Sequence, residues 1–92
     1  MIQSFRCADT EALFAGASVA RFANLRTVAE RKLQMLHRAT QLQDLRIPPN
    51  NQLEALKGDR KGQHSIRINA QWRLCFVLTG SHAEQVEIID YH

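Results

Sequence analysis

The chain ends in three residues, Asp90, Tyr91 and His92, whose side chains can donate, accept or transfer a proton. A polar triplet at a terminus is more often an ordinary solvated tail. Together with an arginine, however, a carboxylate, a phenol and an imidazole supply the functional groups that cleavage of a phosphodiester needs. The guanidinium neutralises the phosphate, the imidazole transfers protons and the aromatic ring stacks a base. Such a site requires that the fold place an arginine near these residues.

A candidate arginine lies in a stretch with a strong excess of positive charge. Between positions 57 and 73 the chain has five basic residues and a single acid, Asp59. Such a local excess is typical of a surface that binds a phosphate backbone, although a solvated basic strand face has the same composition. The net charge of +3 indicates a polyanionic partner only weakly. The five basic residues are Lys57, Arg60, Lys61, Arg67 and Arg73.

Arg73 belongs to a predicted central strand, QWRLCFVL, in which two sets of side chains alternate. Trp72 and Leu74 are predicted to face the helices, so Arg73 should project from the other face of the sheet. Arg67 is expected to alternate outward in the neighbouring strand, HSIRIN. In a last strand, QVEIIDYH, Asp90 alternates with Tyr91. With short turns between them, the three strands predict an antiparallel meander.

The first half of the chain predicts helices. MIQSF alternates as a short strand, and ADTEALFAG predicts a helix capped by Asp9 and ended by Gly16. In RFANLRTVAERKLQMLHRA the apolar positions advance by three and four, which predicts a long amphipathic helix; QLQDLR adds a turn and IPPNN a loop. We therefore predict an α+β fold: an N-terminal strand, two helices and the meander, in one antiparallel or mixed sheet with the helices on one face.

The bulk composition is that of an ordinary folded protein. Ninety-two residues, 45% hydrophobic and 23% charged, predict a single domain that spans residues 1–92. The sequence has no run of about 18 apolar residues and no visible secretory signal, so we expect a cytoplasmic protein. Cys7 and Cys75 are too few and too far apart for a zinc site. We expect both to be small core or strand residues, and we predict no metal or cofactor.

The stretch LEALKGDRKGQHSIRINAQWRLCFVLTG, followed by VEIIDYH, resembles the HigB-type toxins of the RelE/ParE superfamily, the killer proteins of bacterial type II toxin–antitoxin modules. The similarity extends over nearly the whole chain. It implies a RelE-like fold and a ribosome-dependent endoribonuclease that cleaves mRNA in the A site of the 70S ribosome. It also implies a helix-turn-helix, HigA-like antitoxin, which neutralises the toxin and through which alone the toxin reaches operator DNA. No membrane partner is implied.

The same resemblance implies roles for particular residues. Asp90, Tyr91 and His92 match residues described as active-site groups in HigB-like toxins. Arg73 matches the basic residue of the central strand, and Lys57 matches the lysine that precedes the Gly-Asp-Arg turn. The remaining contacts to RNA are then expected from the basic stretch. The predicted RNA-binding residues are Lys57, Arg60, Lys61 and Arg67.

One position departs from the family pattern. Some members have a histidine where this chain has Glu54, so the general base is either Glu54 or Asp90. We hypothesise a metal-free phosphoryl transfer in which that carboxylate takes the proton of a ribose 2′-OH. Arg73 and Lys57 hold the developing charge, and His92 protonates the departing 5′-oxygen.

Two other functions fit parts of the same pattern. A ParE-like branch of the superfamily inhibits DNA gyrase without cutting RNA. A non-enzymatic module would use the basic sheet only to bind RNA or protein. The histidine at position 92 argues weakly against both alternatives, because neither function needs a proton donor there.

Overall fold

Helices cover one face of a four-stranded antiparallel β-sheet in the computed structural model, which describes residues 1–90. The predicted α+β architecture is confirmed. Within residues 1–90, no helix is both long enough and apolar enough to cross a membrane. The helices are α1 (Ala8–Phe14), α2 (Arg26–Arg38) and the one-turn α3 (Gln43–Arg46). The strands are β1 (Glu54–Ala55), β2 (His64–Arg67), β3 (Trp72–Thr79) and β4 (His82–Asp90), each paired with the next.

The sheet contains the predicted meander and one further strand. β2, β3 and β4 pair antiparallel with short connections, as the alternation of the sequence indicated. The further strand, β1, has only two residues, Glu54 and Ala55, which pair with Ser65 and His64. Two residues are too few for a period-two pattern, so sequence alternation does not reveal this strand.

The segment predicted as an N-terminal strand makes only isolated contacts with the sheet. Ile2 bridges Ala83 and Phe5 bridges Val86, both parallel to β4. Between these bridges β4 has a bulge at Gln85, whose φ of 54° lies in the left-handed region. The bulge adds a residue to β4 and interrupts its regular alternation. The predicted strand is therefore replaced by two isolated bridges at the edge of the sheet.

Two details of the predicted helices differ in the structure. The long helix begins at Arg26, because the preceding residues, Ala20–Leu25, wind into 3-10 turns. Asp9 does not cap α1: Cys7 precedes the helix, and Asp9 lies in its first turn. There the Asp9 carboxylate pairs with Arg21 at 3.2 Å. The predicted turn in QLQDLR is confirmed as α3.

The hydrophobic core lies between the helices and the inner face of the sheet. Trp72 lies at its edge, with its ring edge-on to Phe22 and the two ring centroids 5.7 Å apart. Cys75 is buried in β3 as expected, whereas Cys7 is only half-buried before α1, so the expectation for Cys7 was wrong. The largest side chains that are fully buried in the core include Leu13, Phe22, Leu33, Leu36, Ile66, Leu74, Phe76 and Ile88.

Candidate active site

The outer face of the sheet, which we define as the face opposite the core, carries a row of side chains that crosses all four strands. Paired positions in adjacent strands point to the same face, so the strand register places these side chains side by side. Arg67 pairs with Arg73, two residues away in β2 and β3 from the pair Ser65–Cys75 and on the same face. The predicted orientation of both arginines is therefore confirmed. The members of the outer-face row are Glu54, Ser65, Cys75 and Glu87.

Arg73 lies on the predicted face but is buried, with only 8% of the residue accessible. Its Nε donates to Ser65 Oγ at 2.8 Å, and its Nη2 donates to the carbonyl oxygens of Gln52 at 2.6 Å and Ser65 at 3.3 Å. The segment before β1 reaches over the outer face and brings the Gln52 carbonyl onto the guanidinium. The predicted face is thus correct, but the burial of Arg73 was not predicted: hydrogen bonds to the protein hold its guanidinium in place.

Glu54 lies next to this guanidinium. Its Oε1 is 3.8 Å from Arg73 Nε, and the exposed fractions of the two side chains are 45% for Glu54 and 9% for Arg73. The carboxylate therefore remains open to a ligand, while its neighbour supplies a positive charge of fixed orientation. This arrangement suits a base that takes a proton next to a group that becomes negatively charged.

The segment that holds Arg73 is itself attached to the helical layer. Lys32 of α2 donates from Nζ to Asn51 Oδ1, and Asn51 Nδ2 donates to the carbonyl of Leu45 at 3.0 Å. Asn51 is fully buried and Lys32 is 8% exposed. The next residue, Gln52, has a φ of 46°, in the left-handed region. These contacts connect α2 to the segment that leads directly into Glu54.

The predicted RNA-binding residues differ in their surroundings. Arg60 donates from Nη1 to Glu87 Oε1 at 2.9 Å, and this hydrogen bond raises the pKa of Arg60. Lys57 and Lys61 are exposed on either side of the 3-10 turn at Gly58–Arg60. Arg67 is half-buried in β2. Of the four predicted RNA-binding residues, Lys57 and Lys61 are therefore the fully exposed cations.

Asp90 does not lie beside Arg73. In the strand register Asp90 pairs with Trp72, while Ile89 pairs with Arg73. Asp90 therefore alternates to the face of the sheet that carries Trp72, where its Oδ2 accepts a hydrogen bond from Gln71 Nε2 at 2.9 Å. The structure brings together Glu54 and Arg73, whereas the strand register assigns Asp90 to the opposite face of the sheet.

Sequence reasoning missed the groups that hold Arg73 in place. Ser65 could have been found, because alternation places it on the same face of β2 as Arg67. The carbonyl of Gln52 has no sequence signal, since any residue carries one. The contact between Lys32 and Asn51 joins residues 19 positions apart in different elements, and no local pattern indicates it.

The predicted roles of Tyr91 and His92 stay predictions, because both residues lie outside the described part of the chain. Around Arg73, the described residues offer the half-exposed carboxylate of Glu54, a fixed guanidinium, and the exposed Lys57 and Lys61 in the segment that follows Glu54. Within residues 1–90, no three His, Cys, Asp or Glu side chains lie close enough together to hold a metal ion.

Known proteins are similar to this chain in sequence. It is 54% identical over 46 residues to Toxin HigB-1 of Vibrio cholerae serotype O1, and the alignment covers 50% of this chain and 48% of the relative. It is 38% identical over 64 residues to Endoribonuclease HigB of Proteus vulgaris, with 66% and 65% covered. The chain thus spans about half to two thirds of the length of these curated relatives.

The architecture also matches a solved structure. The crystal structure of YafQ from E. coli strain BL21(DE3) is similar with a TM-score of 0.70 and 15% sequence identity, covering 98% of this chain and 91% of the YafQ chain. At this identity the likeness shows the fold. A family model described as the RelE-like toxin of type II toxin–antitoxin system HigB matches residues 18–92, which contain Glu54, Ser65 and Arg73. The chain therefore belongs to the HigB-like family of RelE-like toxins.

Proposed function

We propose that this toxin is an endoribonuclease that cleaves mRNA in the ribosomal A site. The observation that carries the proposal is the pair formed by Glu54 and Arg73, in which a half-exposed carboxylate lies 3.8 Å from a buried guanidinium. The exposed Lys57 and Lys61 follow Glu54 closely in the chain, and we propose that they bind the RNA backbone. The name of one similar protein, Endoribonuclease HigB, supports the same activity.

The proposed reaction is a transesterification within the RNA strand. Glu54 accepts the proton of a ribose 2′-OH, whose oxygen attacks the adjacent phosphorus. Arg73 and Lys57 stabilise the negative charge that develops on the phosphoryl oxygens. The bond to the 5′-oxygen breaks, and His92, as an imidazolium, gives that oxygen a proton while Tyr91 orients the nucleotide. The products are a 2′,3′-cyclic phosphate and a 5′-hydroxyl end.

Glu54 is a better candidate for the base than Asp90. A base must reach the proton of a nucleophile whose phosphate contacts the charge-stabilising group. Glu54 lies on the same face of the sheet as Arg73, whereas Asp90 alternates to the face of Trp72 and accepts a hydrogen bond from Gln71. With Arg73 as the phosphate ligand, we therefore assign proton abstraction to Glu54.

We infer ribosome dependence from the openness of this site. Glu54 lies on a two-residue strand at the edge of the sheet, and its side chain is 45% exposed. An RNA strand bound there from solution would rotate freely away from in-line geometry. On the ribosome, the mRNA in the A site would be held in one conformation, and such positioning contributes several orders of magnitude to a rate.

The partners follow from the family and from this activity. A cognate antitoxin is implied, because the family consists of toxins from type II toxin–antitoxin systems. We propose that the antitoxin is a helix-turn-helix protein of the HigA type, and that the toxin reaches operator DNA only as part of that complex. The 70S ribosome and its mRNA are the proposed targets, so the toxin would act in the cytoplasm.

The test compares two reactions at one salt concentration under single-turnover conditions. Purified toxin is mixed with a labelled mRNA fragment alone, and with the same message bound to ribosomes whose peptidyl site is filled. We expect discrete cuts at the A-site codon, formed much faster on the ribosome. Equal rates in both reactions would rule out ribosome dependence. No cleavage in either would favour a gyrase inhibitor or a non-enzymatic binding module.

A further inference from the structure

Two arginines meet at Glu87, the last member of the outer-face row. Arg60 Nη1 donates to Glu87 Oε1 at 2.9 Å, and Arg6 Nε lies 3.9 Å from the same oxygen. The exposed fraction of the Glu87 side chain is 16%, compared with 35% for Arg60 and 53% for Arg6. The carboxylate is therefore sheltered, while parts of both guanidinium side chains reach solvent.

Further hydrogen bonds hold both arginines in place. Arg6 N donates to the carbonyl of Val86 at 3.0 Å, directly beside Glu87 in the chain. Arg60 ends the 3-10 turn that follows β1, and its Nη1 also donates to Gln63 Oε1 at 3.2 Å. Gln63 is itself buried, at 7% exposure. Segments far apart in sequence are thus arranged to place two cations on one carboxylate.

The charges at this point do not cancel. Two guanidinium groups and one carboxylate leave one positive charge, and within residues 1–90 Glu87 is the only acidic partner of either arginine. A guanidinium has five N–H donors, and one carboxylate oxygen uses few of them. Such arginines bind phosphate through two parallel hydrogen bonds.

We propose that Arg6 and Arg60 form a second phosphate subsite, which binds a backbone phosphate of the RNA other than the one that is cleaved. The inference rests on the proposed function, since it takes RNA as the ligand. Glu87 is separated from Glu54 by the three strand pairings of the row, roughly 14 Å at about 4.8 Å for each. An RNA strand that crosses the outer face would contact Glu54 and Arg73 at the β1 edge and this subsite at β4.

The first test measures binding of a labelled RNA dodecamer in which every 2′-OH is replaced by fluorine, so that it cannot be cleaved. We compare the parent toxin with Arg6→Gln, Arg60→Gln and the double variant across a salt series. Arg26→Gln is the matched control, because Arg26 is also a partly exposed arginine paired with a glutamate, Glu30 at 3.5 Å, but lies on α2.

Each single substitution at the subsite should weaken binding about tenfold, the loss of one charge-assisted contact. The double variant should lose affinity by clearly less than the product of the two single losses, because both arginines hold the same phosphate and their contributions are coupled. Its slope of log affinity against log salt should fall by about 0.7. Arg26→Gln should match the parent toxin. Unchanged melting temperatures would show that the losses do not come from unfolding.

The outcomes separate the subsite from the proposed function. If the parent binds the dodecamer but the Arg6 and Arg60 variants match Arg26→Gln, the subsite is wrong and RNA binding stands. If the parent does not bind at all, the subsite and the RNA-binding part of the proposed function both fail. On programmed ribosomes, a single neutral methylphosphonate placed near the cut should slow the parent at one linkage. It should not slow the Arg6→Gln, Arg60→Gln double variant further there; an added loss in that variant would overturn the subsite.

Discussion

Side chains on the two faces of the sheet are buried for different physical reasons. On the core face, Leu74 and Phe76 lie against the helical layer, and their apolar character is sufficient to account for their burial. On the outer face, Ser65 and Arg73 are buried to a similar extent, but they are polar and depend on hydrogen bonds to each other and to Gln52. A polar side chain that is buried without partners costs free energy, so the outer face is specified by its hydrogen-bond partners.

Glu54→Gln should produce the largest effect and should separate activity from stability on the outer face. The amide keeps the shape of the carboxylate but cannot accept the proton of the 2′-OH, so cleavage on programmed ribosomes should fall about 10²- to 10⁴-fold. The side chain is 45% exposed on a two-residue strand, and we expect the free energy of unfolding to change by less than about 0.5 kcal/mol.

Asp90→Asn is the control for this assignment, because Asp90 alternates to the other face of the sheet. It should affect cleavage much less than Glu54→Gln. Glu54→His should retain part of the activity, since an imidazole can also accept a proton. If Glu54→Gln cleaves at the parent rate while Asp90→Asn is inactive, the base is Asp90 and the site extends to the face of Trp72.

Arg73→Ala and Leu74→Ala compare the two faces directly at adjacent positions. Leu74 is fully buried in the core, and its truncation should cost about 2–5 kcal/mol of unfolding free energy. Truncation of Arg73 leaves the Ser65 hydroxyl and the Gln52 carbonyl without their donor, and should cost about 2–4 kcal/mol. Both values can be measured by urea denaturation.

Activity should distinguish these two variants where stability does not. Below its unfolding temperature Leu74→Ala should still cleave RNA, whereas Arg73→Ala should cleave much more slowly, because of these two residues only Arg73 is proposed to contact the phosphate. An Arg73→Ala protein that unfolds at the parent urea concentration would show that the outer face is not held by this network. Arg73 would then serve catalysis alone.

The sequence predicted which face of the sheet a side chain lies on better than it predicted the burial and contacts of that side chain. Alternation in QWRLCFVL predicted that Arg73 and its neighbour Leu74 lie on different faces of the sheet, and the strand register confirms this. It did not predict that Arg73 is buried, because the covering carbonyl comes from Gln52, which belongs to a loop with no periodicity. For the same reason, the sequence does not decide whether Glu54 or Asp90 is the general base. Local patterns describe one element at a time, whereas a site depends on how several elements meet.

A substitution at Lys32 tests whether the contact between α2 and the segment before β1 stabilises the protein. Burial, followed by repulsion from Arg31 and Arg67, lowers the pKa of Lys32. Between this lowered value and the ordinary lysine pKa of about 10.4, the unfolded chain binds more protons than the folded one, so stability from this group rises with pH. Lys32→Met lacks the titrating group. Urea denaturation from pH 8 upward should therefore show a smaller rise, or a steeper fall, for Lys32→Met than for the parent.

In the pH series, parallel stability curves for the two proteins would show that Lys32 is not the group responsible. Cleavage gives a second measurement, since Lys32 is bound to Asn51, next to Gln52. Lys32→Met should lower the cleavage rate by less than Glu54→Gln does, because it loosens the segment without removing the base. Arg26→Gln, on the same helix but outside this contact, is the control.

The smallest effect concerns the rates at which the two cysteines are alkylated. Of the two, Cys75 lies on the outer face and reports whether that face is covered. Burial raises the pKa of Cys75 to about 11, so at pH 8 only about one thiol in a thousand is ionised. Burial also raises the pKa of Cys7, but hydrogen bonds from Thr10 and Asp9 and the charge of Arg21 outweigh it, and the net shift is downward. Iodoacetamide at pH 8 should therefore alkylate Cys7 quickly and leave Cys75 unmodified in the folded toxin.

The Cys7→Ser variant isolates the second thiol for this measurement. Its alkylation rate should stay low in buffer and rise sharply in denaturant, because Cys75 lies in the outer-face row between Ser65 and Glu87. Arg73→Ala in the same background should increase the rate, since loss of the bond to Gln52 frees the segment that reaches over this face. A rate in buffer equal to that in denaturant would show that the outer face is open in solution. The contrast between its covered polar side chains and the apolar core would then be lost.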